Sequence, residues 1–86
     1  MVVGVCRIVL ELPENGSLKD KRRVIKSLLE RVRRKFNVAA AEVEDQDRRK
    51  RGVIAVACIS ADRRHADEVL ARVLAWVQGA GEGTVS

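Results

Sequence analysis

Aromatic residues are almost missing from this 86-residue chain: Phe36 and Trp76 are the only two, and there is no Tyr. A sheet that binds single-stranded RNA by stacking bases needs exposed aromatics on its strands, and none of the strand-like segments here has one. The core must instead be built from Val, Leu, Ile and Ala. Histidine is equally scarce, with His65 alone, and the two cysteines, Cys6 and Cys58, lie far apart in β-like apolar runs. One His and two distant Cys do not make a zinc site, which needs about four ligands in close pairs. A disulfide would require neighbouring strands and an oxidising compartment. The expectation is two small buried hydrophobes.

No Ser-His-Asp or Cys-His arrangement, Gly-rich phosphate loop or HExxH appears, so no enzyme, no cofactor, no metal and no small-molecule substrate is expected. His65 with Asp62 and Asp67 suggests metal or acid–base work only superficially, because there is no second His and the segment reads as an exposed helix start. No apolar run approaches the roughly 20 residues needed to cross a bilayer. The N-terminus reaches Arg7 without a signal-like apolar stretch. A cytoplasmic protein without membrane contact is expected.

Positive charge is present, and it is concentrated. Residues 17–36 hold nine Lys or Arg against two acids, a net +7, while the whole chain carries +5. One basic face on an otherwise slightly acidic chain fits either a solvated face that keeps the protein soluble or a surface that meets an anionic partner.

The patterning gives the fold class. Residues 2–12 alternate, with Val2, Cys6, Ile8, Leu10 and Leu12 on one face and Val3, Val5, Arg7, Val9 and Glu11 on the other, as in a strand. Pro13, Asn15 and Gly16 break it. Ser17 with Asp20 reads as a helix N-cap. Leu18, Ile25, Leu28, Leu29, Val32 and Phe36 then form an apolar stripe at helical spacing. Lys19, Arg22, Arg23, Lys26, Arg33 and Arg34 occupy the opposite arc. The helix should end near Phe36, with Asn37 as a left-handed cap. Lys21 falls inside the apolar stripe, so it must snorkel out or find a carboxylate. The nearest choices are Glu42 and Asp47.

Residues 38–46 read as a second strand and 46–52 as a charged turn containing Arg48, Arg49, Lys50 and Arg51. Residues 53–60 read as a third strand, apolar on both faces and therefore central. Glu42, Glu44, Asp45 and Asp47 do not converge as metal ligands would, and the neighbouring arginines suit them to an ion network. Ser60 or Asp62 caps a second helix with the stripe Ala66, Val69, Leu70, Val73, Leu74 and Val77, and Trp76 at its edge. Gly79, Gly81 and Gly83 end it.

The order β-α-β-β-α is that of an α+β ferredoxin-like split βαβ plait, with an antiparallel or mixed sheet and both helices on one face. The fourth strand is missing or vestigial. Right-handed crossovers suggest strands 1 and 3 side by side and parallel, with strand 2 at the far edge. Residues 1–80 form one domain and 81–86 a short flexible tail.

The sequence also resembles the YlxP-like family of small bacterial proteins. The resemblance runs over Val-Gly-Val at 3–5, Ser-Leu-Lys-Asp-Lys-Arg-Arg at 17–23 and Lys-Phe-Asn-Val at 35–38. It continues through Ala-Glu-Val at 41–43, Gln46-Asp47 and Ser-Ala-Asp-Arg-Arg-His at 60–65. It implies a ferredoxin-like fold. It also implies a link to translation, since genes of the family often lie near those for initiation factor two and ribosome-binding factor A. The chain departs from the family pattern twice. Arg48 and Arg49 stand where a bulky apolar or aromatic pair is common, and the usual fourth strand is not evident.

Two functions follow as expectations. The first is a non-enzymatic RNA- or ribosome-associated protein, with ribosomal RNA or the ribosome as partner. Its contact surface is Lys19, Arg22, Arg23, Lys26, Arg33 and Arg34 on the helix with Arg48, Arg49, Lys50 and Arg51 in the turn. Lys21 with Glu42 or Asp47 is a candidate polar pair, either structural, joining the helix to the second strand, or part of a functional rim. Anionic lipid fits less well, because the apolar stripe is needed for the core. The second is a protein–protein module without nucleic acid. Val3, Val5, Val9, Val53, Ala55, Ala57 and Ile59 should form an outward apolar face, with Arg7 and Glu11 pairing at its rim, and a homodimer would cover it.

Overall fold

The structure, a computed structural model, describes residues 1–12 and 17–80 and the backbone of Thr84–Val85. Its elements are β1 (Val2–Glu11), α1 (Leu18–Lys35), β2 (Ala39–Glu44), β3 (Arg51–Ser60), α2 (Arg63–Gly79) and β4 (Thr84–Val85). The break expected at Pro13, Asn15 and Gly16, and the glycines 81 and 83, lie outside the described residues. The last strand is vestigial: of the expected tail 81–86 only Thr84 and Val85 are described, and they pair with Glu11 and Leu10.

The strands are ordered β2-β3-β1-β4. β1 and β3 are neighbours, as expected, but antiparallel. The expected parallel pairing is corrected by the hairpin. A right-handed β1-α1-β2 crossover leaves β1 and β2 parallel with room for one strand between them. The tight β2–β3 turn forces β3 to run against β2, and therefore against β1.

The ladder from Val2↔Ser60 to Glu11↔Arg51 fixes the faces. Ile8 and Leu10 of β1 and Ile54 and Val56 of β3 face the helices and are at most 2% exposed. Ile25, Leu28, Leu29 and Val32 of α1 and Val73 and Val77 of α2 close over them. Each such side chain contributes about 1.5–3 kcal/mol by leaving water. Two glycines on this face let the helices sit close. A Cβ on Gly52 would lie 2.9 Å from Ile25 Cδ1, and one on Gly4 would lie 2.8 Å from Leu70 Cδ1. Cys58 lies opposite Gly4 and Cys6 opposite Val56, so both thiols face inward one pair apart, and both are free.

The helices are also fastened to each other. Phe36 and Trp76 meet edge-on with centroids 6.3 Å apart, and the Arg31 guanidinium lies 5.6 Å from the Trp76 ring centroid. α1 leaves directly into β2. Phe36 is extended at φ −126°, and Asp45, not the expected Asn37, has the positive φ. On α2 the cap is Asp62, whose carboxylate accepts from the Arg64 N–H.

The opposite sheet face carries exposed apolar side chains, as expected, with Val3 55%, Val5 66% and Ile59 72% exposed. Val53 differs. Register puts it on that face, yet it is fully buried. Arg7 of β1 reaches across β3 to Glu44 of β2, with Nε and Nη2 donating to the two carboxylate oxygens at 2.8 Å each, and this bridge passes over the Val53 region. Val53 therefore offers nothing to a second chain.

The two faces predict opposite responses to truncation. Ile54→Ala should cost about 3 kcal/mol of unfolding free energy, while Ile59→Ala should cost under about 0.5 kcal/mol. Urea denaturation of both variants checks the face assignment.

Candidate nucleic-acid interface

Helix α1 starts where its sequence provides a cap: Ser17 Oγ accepts from the Asp20 N–H at 3.1 Å. One turn later Lys21, on the apolar stripe, points into the layer between helix and sheet and is fully buried. Its ammonium donates to the backbone carbonyls of Asp45 at 2.7 Å and Gln46 at 3.3 Å. Glu42 Oε2 lies 2.8 Å away as an ion-pair partner, off the direction of a hydrogen bond. Of the two carboxylates open to it in the sequence, Lys21 takes Glu42. Asp47 instead stands 3.9 Å from Arg22, in solvent.

Strand register places Glu42, which lies two residues after buried Ala40 on the same inward face, and a bulge then turns Glu44 away. Between Glu42 and Glu44 the register slips by one residue, so Glu42 opposes Ile54 on the helix side while Glu44 opposes Val53 on the outer side. Without the extra Val43, the period-2 alternation would turn both carboxylates to one face. Asp45 then turns the chain in the left-handed region at φ 58°, and its carbonyl accepts from the Arg48 N–H at 3.0 Å. Asp tolerates that conformation better than most side chains. The carboxylates thus serve different cations: Glu42 serves Lys21, Glu44 serves Arg7, Asp45 serves Arg51 at 2.9 Å, and Asp47 serves Arg22. Among the described residues, no group of three or more His, Cys, Asp or Glu is placed to hold a metal ion.

The basic side chains fall into two groups. Arg33 donates to the Ala40 carbonyl and Arg51 is paired with Asp45, so both tie the helix or turn to the sheet while remaining accessible to solvent. Lys19, Arg23, Lys26 and Arg34 are exposed on α1, and Arg48, Arg49 and Lys50 are exposed in the turn. Because Lys21 holds the turn's carbonyls and Arg22 approaches Asp47, the first turns of α1 and the 45–50 turn are neighbours. The sequence alone leaves the distance between these two basic segments open. The anchoring carbonyls of Asp45 and Gln46 have no signature in the sequence beyond a residue that tolerates the left-handed region. His65 lies in the first turn of α2, its Nδ1 hydrogen-bonded to Ser60 Oγ at 3.2 Å, and Asp67 faces Arg63 at 3.9 Å. No helix among the described residues is long and apolar enough to cross a membrane.

The family described as "Protein of unknown function (DUF503)" matches residues 3–86. The chain belongs to it. An "Uncharacterized protein YlxP" from Bacillus subtilis (strain 168) is 37% identical over 76 residues, covering 88% of this chain and 83% of that protein. DUF503 membership agrees with the resemblance carried by the 17–23 and 60–65 segments, and the family description assigns no reaction.

Two outcomes test this geometry. Removing a buried cation's side chain strands its partners, so Lys21→Ala should lower unfolding free energy by about 3 kcal/mol. It should also loosen the turn, read as faster amide exchange at residues 45–50. The exposed Arg7–Glu44 pair gives a pH effect. The Arg7 hydrogen bonds hold the Glu44 carboxyl below its ordinary pKa, and Glu44 in turn raises that of Arg7. A carboxyl lowered on folding adds stability above its unfolded pKa and loses it as pH falls through the folded one. The stability difference between wild type and Glu44→Gln should therefore be full at neutral pH and vanish on acidification below the carboxylate range. A difference independent of pH would disprove the assignment.

Proposed function

We propose that this protein is a non-enzymatic RNA- or ribosome-associated module that tracks phosphate along α1 and the 45–50 turn. The observation that carries the reading is the Lys21 anchor. It holds the arginine-rich turn beside the basic helix, so two clusters far apart in sequence present one surface. A flexible loop would lose conformational freedom on meeting a phosphate backbone, whereas a turn already gripped by a buried ammonium loses less. Lys and Arg on such a surface displace counterions, and binding of this kind weakens steeply with salt. Few acids interrupt the arc, and Glu42 is engaged in the anchor. The translation setting rests on the family resemblance, and the reading takes the compartment to be the cytoplasm.

Reversing Lys19, Arg23, Lys26 and Arg34 to Glu should abolish co-sedimentation with small ribosomal subunits and binding to bulk RNA at low salt, with the circular dichroism spectrum kept. Each phosphate that a variant no longer neutralises should flatten the log–log salt dependence by about 0.7–0.9. Unchanged binding in the reversed variant would end this reading.

A second reading has its own support in the open sheet face. Val3↔Ile59, Val5↔Ala57 and Ala39↔Ala57 are cross-strand pairs, so exposed Val3, Val5 and Ile59 join the small side chains of Ala39, Ala41, Ala55 and Ala57 in one apolar surface. A homodimer through this face would cover it, with Arg7 already paired inside its own chain. Val5→Asp should then convert a dimer to a monomer in sedimentation velocity. A wild-type monomer at micromolar concentration rules the homodimer out.

A further inference from the structure

A pocket of about 390 Å³ lies where the end of α1, the end of β3 and the first half of α2 meet. Lys35 and Asn37 enter it from the end of α1 and the residues that follow, and Phe36 forms part of its wall. His65, Val69 and Arg72 enter from α2. Their four- and three-residue spacing places them on one helical face. Among the described residues, no carboxylate lines the pocket. Two permanent cations and an imidazole thus surround a cavity that also has an aromatic and aliphatic wall. His65 Nδ1 is held by Ser60, whose hydroxyl also accepts from the Asp62 N–H at 3.1 Å. The ring is therefore oriented, and Nε2 is the nitrogen left for a ligand. The volume is in the range of small-ligand pockets, about 300–1,000 Å³.

The lining selects for a particular chemistry. Lys35 and Arg72 call for an anion, and Arg favours the forked oxygens of a phosphate. Inorganic phosphate would leave Phe36 and Val69 unused, and the alkyl chain of a fatty acid would leave the Asn37 amide without a polar partner. A planar ring on the phosphate uses both halves, and the Asn37 amide can both donate to and accept from its edge. We propose that this pocket takes a nucleoside monophosphate, with the phosphate on Lys35 and Arg72 and the base against Phe36 and Val69. The same chemistry has two sources: a free mononucleotide, or the 5′-terminal unit of an RNA strand lying on α1, whose last turn carries Arg33, Arg34 and Lys35. The second source rests on the RNA reading above, and the first does not.

The test is titration with AMP, UMP, inorganic phosphate and adenosine, followed by amide NMR shifts and by emission of Trp76, the chain's single tryptophan, which touches Phe36. Saturable shifts centred on residues 35–37, 65, 69 and 72 are expected for the two nucleotides. Phosphate or adenosine alone should bind at least about tenfold more weakly. Lys35 and Arg72 are both exposed on helices. Lys35→Glu and Arg72→Glu should therefore keep the fold while each weakens AMP by about tenfold or more. No saturable shift at millimolar AMP, equal binding of phosphate alone, or AMP binding unmoved by Arg72→Glu would each overturn the proposal. A short RNA with a 5′-monophosphate, compared with its 5′-hydroxyl form, assigns the source. Tighter binding that is lost in Arg72→Glu points to the strand end, and equal binding points to the free nucleotide, either result upholding the pocket. The helix variant with Lys19, Arg23, Lys26 and Arg34 reversed separates the two ideas. If wild type binds AMP but no RNA, the RNA reading falls and the pocket stands. If RNA binding needs those four residues while AMP leaves residues 65–72 unshifted, the pocket falls alone.

Discussion

Lys21 brings an ammonium group into the layer where α1 meets the sheet, and water does not reach it. Burying such a group is costly unless its donors are used, so the surrounding chain has to supply acceptors in fixed places. It does so with one carboxylate, from Glu42, and two peptide carbonyls, from Asp45 and Gln46. Meeting that demand constrains much else. β2 must end near Glu44 and the bulge must fall between Glu42 and Glu44. Asp45 must turn left-handed. A Cβ at position 52 would press on Ile25 Cδ1 at 2.9 Å, with the Lys21 stem in contact at 3.7 Å. The packing of helix, strand and turn at this end of the domain is organised around one charge.

The arrangement also links core and surface. Glu42 and Glu44 sit two residues apart yet face opposite sides of the sheet. One joins the hairpin to the helix layer, and the other joins it through Arg7 to the far side of β3. The hairpin is held from both faces, with Val53 enclosed beneath the outer bridge. The positive charges around it are thereby carried on a frame held from two sides, and under the proposed function little order would have to be created on contact with a polyanion.

Much of this is legible in the residues. Period-2 alternation over residues 2–12 marks β1 and its buried face, and the Leu18–Phe36 stripe marks α1 and its basic arc. Lys21 stands out because a charge at that angle breaks the stripe, so the need for a partner is readable even though the partner is not. The choice of Glu42 over Asp47 follows from where β2 pairs with β3, and the one-residue bulge that turns Glu44 outward leaves no periodic trace. The direction of β3 escapes an inference from the crossover alone, because the crossover sets adjacency whereas the hairpin sets direction. Alternation puts Val53 on the right face but says nothing of its exposure, since a side chain's cover comes from residues on other strands. The pocket beside α2 draws its lining from three separate segments and is invisible to a reading that takes segments one at a time.

Lys21 grips the turn by its peptide carbonyls, and every residue type offers those. The anchor is therefore indifferent to which side chains the turn displays beyond Asp45. Positions 46–50 form a platform whose surface chemistry can change by substitution while the carbonyls that Lys21 holds stay available. For the same reason the turn is a suitable place to graft foreign recognition sequences onto this small scaffold.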